Sequence, residues 1–567
     1  MTRTVAISAS LLVFSWPSLS LLWLGTRPSF PLLTLVFVLL IGAIVFFWGR
    51  VENPSGLDLS AHAAIRVAFA ALSAAIVLYA LERWVRAMLY NPYRADMLIV
   101  LREATRRLLG GGDPYGTYHA YDAPWTTVLP YGPVLWGPFL VPQMLRMDLR
   151  VITIIGELFV PAWCGIAATI EAGRGRVASA VAWVMLLAVV VISIDLPQFT
   201  LMGHTPVYWP LLPLFAATVT RKRWLAAAFT LGILIAARST MVTLGPVLLM
   251  GIWVHDRSRT TAAFAIVAAT VLALLLPFII WDYRTIWDGM VASYPRIMKQ
   301  IVWTSTDRGA INTIGVTGWL LAHHWERLVE LTQAATMAAV YGLAWGRIRR
   351  GASPLPWMGL SLLCFSLTTL WSVYYIYFDV LFLFVAAAIA ETLHGRLRLK
   401  AAFLTLVVTA MVVLATTRLM AGPYPTVVVG SPAAQQLLRE GLAGGGQDGA
   451  RQYALATGAR AAIALPRSST ATADILVQCR PFDGRGVESQ IVTAILNGQL
   501  LWAARLQPGW QTIRFAAPRS VWWIGFNQLE LQFSPVSLGN SGDDPRRTAV
   551  AISRVDVAPH ESESRIQ

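Results

Sequence analysis

Residues 93–125 read "YRADMLIVLREATRRLLGGGDPYGTYHAYDAPW", a polar stretch between two apolar ones. Asp96, Asp113 and Asp122 stand there among Arg94, Arg102, Arg106 and Arg107, with Tyr115 close to the second carboxylate. A carboxylate can take the proton from a hydroxyl nucleophile. Arginine offers a rigid fork of donors that fits a phosphate. Two more charges lie where lipid makes them expensive, Arg238 in "LIAARSTMVT" and Asp379 in "VYYIYFDVLFLF". Ionisable groups in such places are usually functional. Arg238 is therefore the first candidate for holding a phosphate, with Arg94 and Arg308 as alternatives. Asp122, Tyr115, His204, Tyr208 and Asp379 are candidates for contacts to a hydroxyl-rich ligand. Each has a plainer reading: Asp113 starts a proline turn, Glu103 pairs with Arg106 or Arg107, Arg238 marks a kink, His204 and Tyr208 sit at an interface, and Asp379 bonds a neighbouring tyrosine.

The elements that must position these residues are apolar helices. The chain has 567 residues, 56% hydrophobic and 13% charged, with a mean hydropathy of +0.58. Soluble domains carry roughly 25% charged residues, so the composition indicates a polytopic α-helical membrane protein of about thirteen spans. The spans are expected near 6–24, 31–48, 63–82, 151–171, 177–194, 204–220, 224–238, 240–254, 261–281, 328–346, 354–373, 374–392 and 400–417. Segment 131–147 carries three prolines and reads as a partly inserted helix. The net charge of +15 gathers in short loops, "RGR" at 174–176, "RKR" at 221–223, "RIRR" at 347–350 and "GRLRLK" at 395–400. That is the positive-inside pattern and argues against a nucleic-acid partner. With the N-terminus in the cytoplasm, loops 83–150 and 282–327 and everything after 418 fall outside. Three cysteines and the vicinal pair His323-His324 give neither a disulfide framework nor a metal set.

Within the first loop, Met97, Leu101, Ala104 and Leu108 recur at helical spacing as one apolar stripe, with Asp96, Glu103 and Arg107 on another face. Such a helix lies at the membrane surface. Beyond residue 420 the pattern changes. Residues 421–450, with "EGLAGGGQDGA", read as a linker, and 451–567 as a β-sandwich domain outside the cytoplasm. Its strands are signalled by alternation in "ADILVQCRPF", "QIVTAILNGQLLWAARL", "WQTIRFAAP", "NQLELQFSPV" and "TAVAISRVDVAP", and Asn497-Gly498 is a two-residue hairpin signal. Trp510, Trp522, Trp523 and Asn527 stand among these strands; core packing is expected for Trp510, and either scaffolding or glycan binding for the domain.

A carboxylate past a helix end, beside arginines and aromatic residues, is what transfer from a lipid phosphate requires at the bilayer edge. The order Asp96, then "LLGGGDPY", then "PYGPVLWGPFL" resembles the first external loop of the GT-C glycosyltransferases. "DLPQFTLMGHTPVYWPLL" and "IAARST" resemble two later segments, with His204 after Gly203 where many members have Gln and Arg238-Ser239 where many have Lys-Pro. The resemblance covers roughly residues 63–417. It implies a catalytic domain over 1–420 in a bacterial cytoplasmic membrane, taking a sugar from a polyprenyl phosphate by inverting displacement. The acceptor would be a cell-envelope glycan or glycolipid, and mannose, arabinose and glucose all suit such a site. It places the general base at Asp96, with Asp113 as runner-up. No cofactor is demanded; some members use a divalent ion. The tail resembles jelly-roll carbohydrate-binding modules and could recruit envelope-biosynthesis partners. The competing classes are a flippase for lipid-linked sugars and a noncatalytic assembly protein.

Overall fold

The computed structural model describes residues 63–88, 96–119, 126–192, 205–299, 303, 315–370, 372, 376–392, 422–435, 437–457, 459–481, 490–534, 537–538 and 547–560. The chain forms two compact units. One comprises Met1–Glu82, Ala95–Leu140 and Ile152–Thr409, the other Arg83–Arg94, Val141–Val151 and Ala410–Gln567.

The helical part begins with α1 (Ala63–Ala87) and α2 (Asp96–Leu109), followed by a small hairpin, β1 (Thr117–His119) with β2 (Thr126–Val128). The proline-rich segment is broken into α3 (Pro133–Trp136), a 3-10 turn at Gly137–Phe139 and α4 (Leu140–Met144). Proline fits a first helical turn and kinks or breaks a helix beyond it, so three prolines at short spacing yield short pieces in place of one helix. Then come α5 (Arg150–Ala172), α6 (Val177–Ile192), α7 (Leu211–Thr220), α8 (Trp224–Ala237), α9 (Gly245–His255), α10 (Thr260–Trp287), α11 (Ser293–Ile297), α12 (Gly315–Ala322), α13 (Val329–Ile348), α14 (Pro354–Thr368) and α15 (Tyr377–Thr392). α7 packs on α15 and α8, α8 on α10, and α14 on α13 and α15.

Three described helical stretches are long and apolar enough to cross a membrane: Ile65–Ala87, Arg150–Ala172 and Arg257–Ile297. Several others are apolar but shorter, so the described residues do not reach the expected number of spans. Two expected spans open as 3-10 turns, Thr205–Tyr208 before α7 and Ser239–Leu244 before α9, because each begins beside a proline or a buried charge. The expected loop after 282 is partly helical, continuing α10 through a π turn at Asp288–Ala292 into α11. The helices expected at 6–24, 31–48 and 400–417 lie outside the described residues.

The second unit contains two antiparallel sheets. One has the order β10 (Gln499–Arg505), β9 (Ile491–Leu496), β12 (Gly525–Ser534), β7 (Arg460–Arg467), β4 (Leu438–Glu440). The other has β11 (Gln511–Ala517), β8 (Ala473–Pro481), β14 (Arg547–Pro559), β6 (Arg451–Thr457), β5 (Leu442–Asp448), with β3 (Thr426–Val428) and β13 (Ser537–Leu538) also paired to β14. Ile463, Leu465, Leu529 and Leu531 from the first sheet and Ile475, Val477, Ile552 and Val555 from the second share one apolar core. Asn497 and Gly498, at φ 52° and 81°, make the hairpin between β9 and β10.

The stretch expected as a linker instead contains three strands, β3, β4 and β5. Its glycines serve close approach: a methyl group at Gly446 would fall 2.2 Å from the Tyr453 ring on β6. Trp510 is also not in the core. It is half-buried, donating to Asp448 Oδ2 at 2.7 Å, because it precedes β11 and so escapes the strand's inward alternation. Asn527 is buried as a polar hub; its Oδ1 accepts from Asn497 Nδ2 and the Trp523 amide, each at 2.8 Å.

Candidate functional site

Three elements deliver one polar cluster to an otherwise apolar unit. The 3-10 turn before α7 brings Tyr208 and Trp209, the C-terminal end of α8 brings Arg238, and the first turn of α15 brings Asp379. Arg238 Nη1 donates to Asp379 Oδ2 at 2.7 Å and more weakly to the Tyr208 hydroxyl at 3.4 Å. Trp209 Nε1 donates to Asp379 Oδ1 at 2.9 Å. Side-chain exposure is 10% for Arg238 and 2% for Asp379. Taking two such charges out of water costs several kcal/mol each, and attraction repays this only with good geometry and further hydrogen bonds. Both carboxylate oxygens accept here, which meets that condition.

The helix ends explain the placement. α8 stops where Arg238 turns extended, at φ −145° and ψ 120°, and the 3-10 turn Ser239–Leu244 follows. An interrupted helix is tolerated at membrane depth only where protein covers it. The cover includes the first loop: a methyl group at Gly132 would lie 1.9 Å from the Ala236 carbonyl, so only glycine lets the "YGP" stretch rest on the end of α8.

The rest of the first loop is tied down by its own bonds. Asp113 Oδ1 accepts from the Tyr115 amide at 2.9 Å, and Oδ2 from the Thr285 hydroxyl of α10 at 3.0 Å. This is the proline-turn role, extended into a strap to α10. Tyr115 is buried, donating to the Tyr131 carbonyl at 3.0 Å and accepting from Trp136 Nε1 at 3.2 Å, with its ring against Trp136 and Phe278. Burial pushes its phenol well above the usual tyrosine range. Tyr115 therefore packs the loop. The Arg107 guanidinium lies 4.5 Å over the Tyr118 ring and fixes β1 to α2. Glu103 pairs with Arg106 at 2.6 Å, one of its two expected partners.

α2 buries a broader arc than the expected stripe, taking in Leu98, Ile99, Val100, Leu101, Ala104 and Thr105, because it is covered from several sides by the hairpin and the turn at Gly137–Phe139. Asp96 is its first residue; the side chain lies outside the described residues, as do Arg94, Asp122, His204 and Arg308.

The structure thus joins Arg238, Tyr208 and Asp379, which the sequence had marked separately. Asp379 accepts from Arg238 and Trp209, and the Tyr208 hydroxyl also bonds it, as the plainer reading of this residue expected. Trp209 and Gly132 were missed; "VYW" and "YGP" flank marked residues, but nothing local to them reveals a partner far away in the chain. Among the described residues no group of three or more His, Cys, Asp or Glu could hold a metal ion. No protein-family model matches this chain, and no curated protein matches it.

Proposed function

We propose that the protein is an inverting glycosyltransferase of the GT-C type that moves a sugar from a polyprenyl phosphate to a cell-envelope glycan or glycolipid. The observation that carries this reading is the Arg238–Asp379 cluster, a costly buried ion pair lying under the first polar loop. In the proposed reaction Asp96 takes the proton from the acceptor hydroxyl. The resulting oxygen attacks the anomeric carbon, and the bond from that carbon to the phosphate oxygen breaks. The lipid phosphate departs with the charge. Arg238 has Nη1 committed to Asp379 and Tyr208, and the remaining edge of its guanidinium receives the phosphate; Asp379 acts as a positioning residue that fixes the orientation of the guanidinium.

In this reading the chain spans a bacterial cytoplasmic membrane many times, with its N-terminus inside and the loop outside. The two-sheet unit is an extracytoplasmic, jelly-roll-like sandwich that binds glycan or partner enzymes of envelope synthesis. The test is Asp96→Asn in the full chain, reconstituted with a panel of polyprenyl-phosphate sugars. Removing a general base should lower transfer by about a hundredfold or more with the unfolding temperature unchanged. Transfer at the wild-type rate would remove Asp96 from the reaction; no consumption of any donor by the wild type would favour the flippase or the assembly protein.

A further inference from the structure

Away from this cluster, three tight turns concentrate positive charge: Arg221-Lys222-Arg223 between α7 and α8, Arg257-Ser258-Arg259 between α9 and α10, and Arg347-Ile348-Arg349-Arg350 at the end of α13. The fold brings them together. A methyl group at Gly251 of α9 would lie 3.0 Å from Pro354, the first residue of α14, and 3.9 Å from the Trp224 indole that opens α8. The Trp224 ring also stands 5.7 Å from that of His255, the last residue of α9. The starts of α8 and α14 thus meet the end of α9, and α9 packs along α13. Each of these helix ends carries one basic turn.

Among the described residues, five cations of these turns have no acidic partner. Asp256 is the one carboxylate in the three turns, and it is held by Arg259 at 2.9 Å and Ser258 at 2.7 Å. Lys222, Arg223, Arg257, Arg349 and Arg350 are exposed and form no ion pair among the described residues.

Two tryptophans set the level of this patch relative to lipid. The Arg257 guanidinium lies 4.2 Å over the Trp253 ring, and Arg349 lies 5.5 Å over Trp345. Tryptophan favours the headgroup level of a bilayer. Beyond this belt the helices expose apolar side chains, Leu225 and Phe229 on α8 and Leu343 on α13. Cations stacked on interfacial indoles stand where lipid phosphates are, not in open solution.

We propose that this end of the helical unit binds the phosphate headgroup of an anionic membrane lipid across the three basic turns. The site is separate from the Arg238–Asp379 cluster, and the readout requires no transfer activity. The full chain is extracted from phosphatidylcholine vesicles doped with phosphatidylglycerol, and retained lipid is read by native mass spectrometry. Wild type should retain phosphatidylglycerol preferentially. At roughly fivefold per cation near a lipid surface, Arg223→Gln/Arg257→Gln/Arg350→Gln should cut that retention by about a hundredfold while keeping its unfolding temperature in phosphatidylcholine. If the triple variant does not fold, Arg350→Gln alone should lower retention about fivefold. Equal retention of both lipids by wild type overturns the proposal. So does an equal thermal shift from inorganic phosphate in detergent, which would assign the patch to a soluble anion.

Discussion

The helical unit and the two-sheet unit each contain an arginine–aspartate cluster with a third hydrogen-bonding partner, and the two differ in their access to water. In the first, Arg238 and Asp379 are 10% and 2% exposed and lie 2.7 Å apart. In the second, Arg514 and Asp474 lie 2.5 Å apart, but the arginine is 41% exposed, and His560 bonds the other carboxylate oxygen at 2.7 Å. The second cluster has a clear structural use: Asp474 is on β8, Arg514 on β11 and His560 just past β14, so it ties three neighbouring strands at one end of a sheet. The first joins the ends of three helical segments. A buried pair is weak evidence of stabilisation, which makes function the better account of the first and strand fastening of the second.

The largest effect is expected from Asp379→Asn. It leaves a guanidinium in an apolar unit with no counter-charge, at a cost of about 3–5 kcal/mol, read as a fall in the unfolding temperature of the detergent-solubilised chain. A cost no greater than that of Asp474→Asn would erase the distinction between the clusters. Next comes Gly132→Ala, whose added carbon must displace backbone; about 2–3 kcal/mol is expected, together with faster proteolysis of the loop over 113–131. Unchanged cleavage would show that the loop does not rest on α8.

Asp474→Asn should cost about 1 kcal/mol, measured by hydrogen exchange along β14. The pH dependence has a definite sign. Burial alone raises the carboxyl of Asp474, but the hydrogen bonds from His560 and Arg514 and the charge of Arg514 outweigh it and hold the group below the ordinary range. A carboxyl depressed in the folded state contributes stability fully above its unfolded value of about 3.9 and loses it as pH falls through the folded value. Protection of β14 should therefore drop below about pH 4, and the asparagine variant should lack that step. The smallest effect is expected from Glu103→Gln, whose pair with Arg106 is solvent-exposed, at below about 0.5 kcal/mol.

Much of the two-sheet unit was legible because a half-buried strand alternates with period two, and five strand-bearing stretches were marked by that signal. β3 to β7 were not: β5 is glycine-rich, and glycine carries no side chain to show which face is buried, while β7 is buried nearly throughout and so does not alternate; Gly446 is explained only by the ring of Tyr453. In the helical unit, hydropathy marked the apolar segments but not where they break. The breaks at Arg238 and before Leu211 depend on what lies across from them.

By itself the sequence determined that the first part of the chain would form apolar helices, that a strand-rich unit would follow, and that Arg238 and Asp379 stand where apolar neighbours make a charge costly. Hydropathy and periodicity are local, and the penalty for a charge among apolar residues follows from its immediate neighbours. Only the tertiary structure decided that these two charges belong together, that Trp209 completes their bonding, and that Asp113 and Tyr115 fasten the loop. Those pairings join residues up to 172 positions apart. The distance between such residues is set by helix packing, on which local sequence is silent.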